Sequence, residues 1–116
     1  MNSGEHFVLH LLNMVPEIRE IYDAHVEDNR ELLPHVFMGD ITRFTLQLSS
    51  SEADLNVLER VLAAVEEGLN SDTTDVSNLV AVSFIENLCG ENDAIGRILP
   101  LAGDFTKKEI ECICGR

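Results

Sequence analysis

Residues 52–69 read EADLNVLERVLAAVEEGL, and this stretch decides the fold class. Apolar side chains recur there at every third or fourth position: Leu55, Leu58, Leu62, Val65 and Leu69. This spacing places them on one face of an α-helix, opposite a polar face. We therefore predict an amphipathic helix from Glu52 to Leu69, which Ser51 and Asp54 would cap at its start.

Helical spacing also runs through the rest of the chain. Upstream it predicts a helix over residues 5–13, a second beginning at Pro16 and a third beginning near Leu33-Pro34, since proline suits a first helical turn. Downstream it predicts helices over 75–89, 92–99 and from Asp104 or Thr106 to Ile113, with caps for the first of them among residues 72–75. The 75–89 segment is apolar on most sides, which is typical of a central, buried helix.

These elements predict an all-α fold. We expect five or six short helices in a compact bundle, or in stacked antiparallel hairpins, because the connections are short. A length of 116 residues suits a single helical domain over residues 1–116.

The chain is strongly acidic, with 21 Asp and Glu against 8 Lys and Arg and a formal net charge of -13. Nucleic acids and anionic membranes require a basic surface, so both are excluded as expected partners. A basic protein is the partner that this charge favours. Most of the negative charge lies between Ser51 and Gly96, where Arg60 is the sole basic residue.

Composition also bears on location. No apolar run approaches the roughly 18 residues that a membrane span needs, and the first five residues lack the basic start of a secretory signal. The cysteines, Cys89, Cys112 and Cys114, are odd in number and do not form a disulfide framework. We therefore expect a reduced, cytoplasmic protein, with Cys89 in the core and the other two in a frayed tail.

No catalytic constellation stands out. His6 and His10 could share a helical face, but a catalytic zinc helix also needs an intervening glutamate and a third ligand, and the residues between them are Phe-Val-Leu, so they are interpreted as surface histidines. The glycines do not form a phosphate loop, and no nucleophile elbow is present. We expect a protein that is not an enzyme and that uses neither a metal nor another cofactor.

One polar group is harder to interpret. Asp40 falls on or beside an apolar face, where an unpaired carboxylate would be costly, and Arg43 is three residues further on. Glu86 ends the most apolar helix. These three residues could form an internal polar network that joins two helices, or a cluster that binds a ligand or a partner.

Two stretches carry a resemblance to a known family: LPHVFMGDITR at residues 33–43 and VSNLVAVSFIENL at residues 76–88. They resemble a family of small, acidic, helical bacterial proteins, mostly of unknown function, with Leu-Pro-His-x-Phe-x-Gly-Asp and Val-Ser-Phe-Leu-Glu-Asn-Leu stretches. Ile85 stands where that family has leucine. Such proteins look like immunity proteins of polymorphic toxin systems, and the likeness covers roughly Pro16 to Leu99. It implies no catalytic residues.

Charge and resemblance together lead us to expect an immunity protein that neutralises a cognate, basic bacterial toxin by docking. The alternative is a small acidic regulatory or adaptor protein for another basic partner. The preferred docking surface is the acidic side of the 52–69 helix together with the segment after this helix: Glu52, Glu59, Glu66, Glu67, Asp72 and Asp75. The second choice is one face of the helix after Pro16: Glu20, Asp23 and Glu27.

Overall fold

The computed structural model describes residues 2–115, and within that range all regular structure is helical, as predicted. The α-helices are α1 (Ser3–Met14), α2 (Arg19–Asn29), α3 (Pro34–Ser49), α4 (Leu55–Leu69), α5 (Thr74–Val80), α6 (Glu86–Leu88), α7 (Asn92–Ile98) and α8 (Asp104–Cys114). A π-helical turn, Ala81–Ile85, joins α5 to α6. Three short 3-10 turns occupy Pro16–Ile18, Glu52–Asp54 and Leu99–Leu101.

The start of α1 comes from a local signal that the periodicity did not reveal. The Asn2 side chain accepts a hydrogen bond from the Glu5 N–H (2.8 Å), and the Asn2 N–H donates to the Glu5 carboxylate (3.2 Å). This reciprocal capping box satisfies two backbone donors that a helix start otherwise leaves free. The helix therefore begins at Ser3, two residues before the predicted start.

The predicted cap of α4 is wrong, whereas the N-cap residue of α5, Thr73, lies within the predicted range of 72–75 but makes no side-chain capping bond. Ser51 makes no capping hydrogen bond, and Glu52–Asp54 form a 3-10 turn, so α4 begins at Leu55. Leu55 lies in the first helical turn and is 44% exposed rather than buried. At the start of α5, the Ser71 hydroxyl accepts from the Thr73 N–H instead of an acidic side chain acting as the cap.

The core lies between α1, α3, α4 and the α5–α6 helix. Its largest fully buried side chains include Phe37 from α3 and Phe84 from the π-helical turn. Burial of one such side chain contributes about 1.5–3 kcal/mol. The 75–89 segment is central, as predicted, but Val82 is 49% exposed, so one side of it faces outward.

The helices pack into one small body. The radius of gyration is 13.2 Å, close to the value of roughly 13 Å expected for a compact chain of this length. Among residues 2–115, no helix combines the length and the apolar character needed to cross a membrane.

The prediction for the cysteines is wrong. Cys89, at the end of α6, forms a disulfide with Cys114, at the end of α8, while Cys112 stays free and exposed. The C-terminal segment is accordingly helical up to Cys114 rather than a frayed tail. An odd cysteine count does not exclude one bridge, so the inference of a reducing setting from that count loses its basis.

Candidate functional site

The carboxylates of the preferred docking surface have different roles in the structure. Glu66 accepts hydrogen bonds from the Phe105 N–H (2.9 Å), the Thr106 N–H (2.9 Å) and the Thr106 hydroxyl (2.8 Å). These donors lie in the first turn of α8, so Glu66 caps that helix from α4. The predicted caps, Asp104 or Thr106, are therefore wrong: the N-cap position is Gly103, and its capping oxygens come from another helix.

Electrostatics agrees with a structural role for Glu66. Partial burial raises the pKa of Glu66, but the hydrogen bonds from Phe105 and Thr106, together with Lys107, outweigh this and hold the pKa below its usual value. The close approach also needs a glycine, since a Cβ at Gly103 would lie 2.6 Å from the Glu66 Oε1. Glu66 is therefore not available to a partner without loss of this cap.

Glu67, the neighbour of Glu66, lies against a histidine of α1. Its Oε2 lies 2.6 Å from the Nε2 of His10 on α1, and both side chains are about half exposed. The other acidic residues of that surface, Glu52, Glu59, Asp72 and Asp75, are exposed. The preferred surface therefore keeps four of its six carboxylates free of the Glu66 cap and the His10 pair.

The second-choice face on α2 is exposed at all three predicted positions, Glu20, Asp23 and Glu27. Asp23 lies 3.4 Å from the Nε of Arg19, an exposed i,i+4 pair worth about 0.3–0.5 kcal/mol. Glu20 lines a groove between α2 and α3. The structure thus places one predicted docking residue in a concave surface.

This α2–α3 groove has a volume of about 690 Å³. Its apolar lining comes from Ile21, Ala24, Val36 and Phe44. Its charged lining comprises three carboxylates, Glu20, Asp28 and Asp40, against one guanidinium, Arg43. An apolar surface with a few convergent charged groups is the usual composition of a binding site.

The Asp40–Arg43 pair predicted from the sequence is present, because Arg43 donates directly to the Asp40 Oδ1. The Asp40 side chain is 29% exposed, whereas the Arg43 side chain is 68% exposed. Glu86, the third residue of the predicted network, is exposed. In its place a buried histidine, His25, accompanies Asp40: its Nδ1 lies 3.8 Å from the Asp40 Oδ2.

His25 is 1% exposed in its side chain and is fixed by its other nitrogen. Its Nε2 accepts a hydrogen bond from the Leu33 N–H (2.9 Å), which requires a lone pair on that atom. In the neutral ring the proton therefore resides on Nδ1. The neighbouring Asn29 amide nitrogen, 3.3 Å from Nδ1, already donates to the His25 carbonyl (2.8 Å). The Asp40 Oδ2, 3.8 Å from Nδ1, lies beyond hydrogen-bond distance.

A polar seam joins α3 to the π-helical turn. The His35 Nδ1 lies 2.6 Å from the Ser83 hydroxyl oxygen, and the Ser83 carbonyl accepts from Thr42 (3.2 Å) and Asn87 (2.8 Å). The two stretches that carry the family resemblance therefore pack against each other. Although π-helical turns often accompany functional sites, Ser83 is only 6% exposed, and its bonds hold helices together.

Arg60 is also held in the structure. It donates to both carboxylate oxygens of Glu17 (2.8 and 2.5 Å) and to the Met14 carbonyl (3.1 Å). The hydrogen bond from Arg60 is the largest cause that lowers the pKa of Glu17 to about 2. Because Arg60 is the sole basic residue between Ser51 and Gly96, the free acidic residues of that stretch have no basic neighbour within it.

Sequence reasoning missed His25 and the structural role of Glu66. Asn29 and Leu33, which bind His25, lie within eight residues of it, but no spacing rule identifies a histidine whose partner is a loop N–H. The partners of Glu66 lie about 40 residues further along the chain. Only the packing of α8 on α4 brings them together.

Comparison with known proteins identifies the family. Residues 8–110 match the family described as a domain of unknown function, DUF7674. The match spans most of the chain, so the protein belongs to this family. No curated protein and no solved structure matches the chain.

Proposed function

We propose that this member of the DUF7674 family is an immunity protein that binds a cognate bacterial toxin and neutralises it. The toxin presents a basic surface, and the partner-binding residues are acidic. The observation that carries the binding role is the α2–α3 groove, where an apolar lining is combined with an excess of carboxylates. The step from a binding role to immunity rests on the resemblance to immunity proteins of polymorphic toxin systems.

The charge supports a role in association. Complementary fields accelerate the encounter of two proteins and disfavour partners of the wrong sign. A net charge of -13 on 116 residues supplies such a field. Rigid helices present it with little loss of conformational entropy on docking.

The hydrogen bonds of Glu66 and Glu67 lead us to prefer a different docking surface from the one predicted from the sequence. The sequence favoured the α4 side, but there Glu66 caps α8 and Glu67 faces His10. On the α2 side, Glu20 and Asp28 are exposed and line a groove that has apolar side chains beside them. A surface that combines charge with a desolvated apolar centre is the usual anatomy of a tight interface. We therefore place the toxin on the α2–α3 side.

The first test of the immunity function is to identify the protein partner. The tagged protein is used to capture proteins from the native host at moderate salt, and each basic protein recovered is expressed with and without it. The proposal expects one basic domain that arrests growth alone and is harmless when co-expressed. A captured partner without toxicity would overturn immunity in favour of the regulatory or adaptor function.

Two matched variants then test the surface. The double variant Glu20→Lys/Asp28→Lys changes the groove side, and Asp72→Lys/Asp75→Lys makes the same change of charge at exposed positions before and in α5. We expect the first variant to lose protection and the second to retain it. Equal loss in both would indicate a non-specific field, and loss in the second alone would return the docking surface to the α4 side.

The proposed setting is the cytoplasm, where a toxin made in the same cell would be met. The Cys89–Cys114 disulfide makes this setting testable, because cytosolic thiols are kept reduced. Alkylation of thiols in living cells before lysis, followed by mass spectrometry, counts the free cysteines. Three alkylated cysteines agree with a reducing cytoplasm, whereas one alkylated cysteine would contradict it.

A further inference from the structure

We propose that the α2–α3 groove binds an arginine side chain of the protein partner at Asp40, and that Arg43 occupies this position in the free protein. The inference rests on the proposed function, because it names the chemistry by which the partner is recognised. It depends on three features: the partial burial of Asp40, the weakness of its present ion pair, and the apolar lining beside it.

Asp40 is partly buried, and each of its carboxylate oxygens lies near a nitrogen of another side chain. One of these oxygens, Oδ2, lies 3.8 Å from the Nδ1 of His25, whose ring is almost fully buried and accepts a hydrogen bond from the Leu33 N–H. The other oxygen, Oδ1, faces Arg43. His25 is therefore a buried neighbour of Asp40 and not its hydrogen-bond partner.

The present partner of Asp40 is easily replaced. Arg43 lies three residues away on the same helix and is 68% exposed, so the pair is of the kind that contributes little to stability. Its side chain can turn to solvent while the helix stays intact. A guanidinium from a partner would take over the same oxygen in a less hydrated setting, where a charged hydrogen bond is stronger.

The rest of the groove fits a long cationic side chain better than a small ion. Ile21, Ala24 and Phe44 offer an apolar surface for the methylene stem of arginine. Glu20 and Asp28 line the same groove and supply further acceptors. The planar fork of a guanidinium can bond two oxygens at once, which the ammonium of lysine cannot match. The groove is therefore expected to prefer arginine to lysine.

The test uses a probe in place of the partner. Nα-acetyl-arginine amide is titrated into the full-length 15N-labelled protein, and backbone amide shifts are followed by NMR. The neutral isostere Nα-acetyl-citrulline amide and the lysine analogue serve as matched probes. We expect saturable shifts of groove amides such as Ala24 and Phe44 with the arginine probe, weaker binding of the lysine probe and no saturation with citrulline.

Two variants test the two members of the Asp40–Arg43 pair. Asp40→Asn should weaken the arginine probe by about tenfold, since a charge-assisted bond is lost. Arg43→Gln should strengthen it, by about threefold, because the competing cation is removed and the pair it breaks is weak. Weaker binding in Arg43→Gln would overturn the proposal, and so would shifts that lie outside the groove. If Asp40→Asn does not fold, Arg43→Gln alone still decides between the two outcomes.

The outcome is separable from that of the proposed function. The probe titration requires no toxin, whereas immunity is measured by rescue of growth. Failure of the arginine probe together with rescue of growth would remove this recognition mode and leave immunity standing. If the probe binds but no toxin partner is found, the arginine-binding groove stands and the immunity function is contradicted.

Discussion

Replacement of Glu66 by glutamine removes one negative charge and one acceptor from the cap of α8. Glutamine keeps one oxygen, which can still accept from Thr106, but its amide nitrogen then faces the Phe105 N–H. A donor left without its acceptor costs about 1–3 kcal/mol, and a lost charge at a helix N-terminus about 0.3–1 kcal/mol. Because Phe105 is 45% exposed, water offsets part of the first cost. We expect a loss of about 2 kcal/mol in the free energy of unfolding.

The assay is thermal unfolding followed by circular dichroism at pH 7. For 116 residues, an unfolding entropy of about 2.1 cal/mol/K per residue converts about 2 kcal/mol into a fall of roughly 8 °C in Tm. The matched control is Glu67→Gln, which alters an exposed pair with His10 and should change the free energy by less than about 0.5 kcal/mol. Equal Tm values for Glu66→Gln and the wild type would refute the cap.

Three further predictions concern the rest of the fold. Gly68→Ala should destabilise the protein by about 1–3 kcal/mol in a denaturant titration, because the added Cβ would lie 2.7 Å from the Val80 side chain; an unchanged midpoint would contradict this packing. Cys89→Ser should cost about 3.5 kcal/mol without reductant, since the disulfide closes a separation of 25 residues, and a reductant should abolish the difference from wild type. Because Arg60 lowers the pKa of Glu17 to about 2, wild type should lose stability relative to Glu17→Gln as pH falls from about 4.5 towards 2; parallel pH profiles would exclude this linkage.

The helices could be predicted because their signals are local. Pro34 starts α3, as predicted, α6 ends at Leu88, one residue before the predicted end, and the apolar positions Leu58, Leu62 and Val65 of α4 are buried. Some errors at helix starts are local, as at the Asn2 cap of α1, whereas another arises because a helix end depends on a distant group. The N-terminus of α8 is the clearest case, since its capping oxygens come from α4.

The candidate site could be predicted in part. The Asp40–Arg43 pair followed from an i,i+3 spacing on one helix. The contribution of His25 did not, because it depends on how α2 lies against α3. Glu59 and Glu66 lie two turns apart on the same face of α4 and look equivalent in sequence. Of the two, Glu66 alone bonds to the first turn of α8.

By itself, the sequence determined the all-α fold class, the approximate positions of the helices and the strong negative charge. These properties depend on side-chain periodicity, proline and glycine positions and residue counts, all of which are local or additive. Only the tertiary structure decided which carboxylates are occupied, which cysteines are joined and that Glu20 shares a groove with Asp40. The physical reason is that each of these depends on contacts between helices, and helical periodicity specifies which face of a helix is buried but not which neighbour covers it.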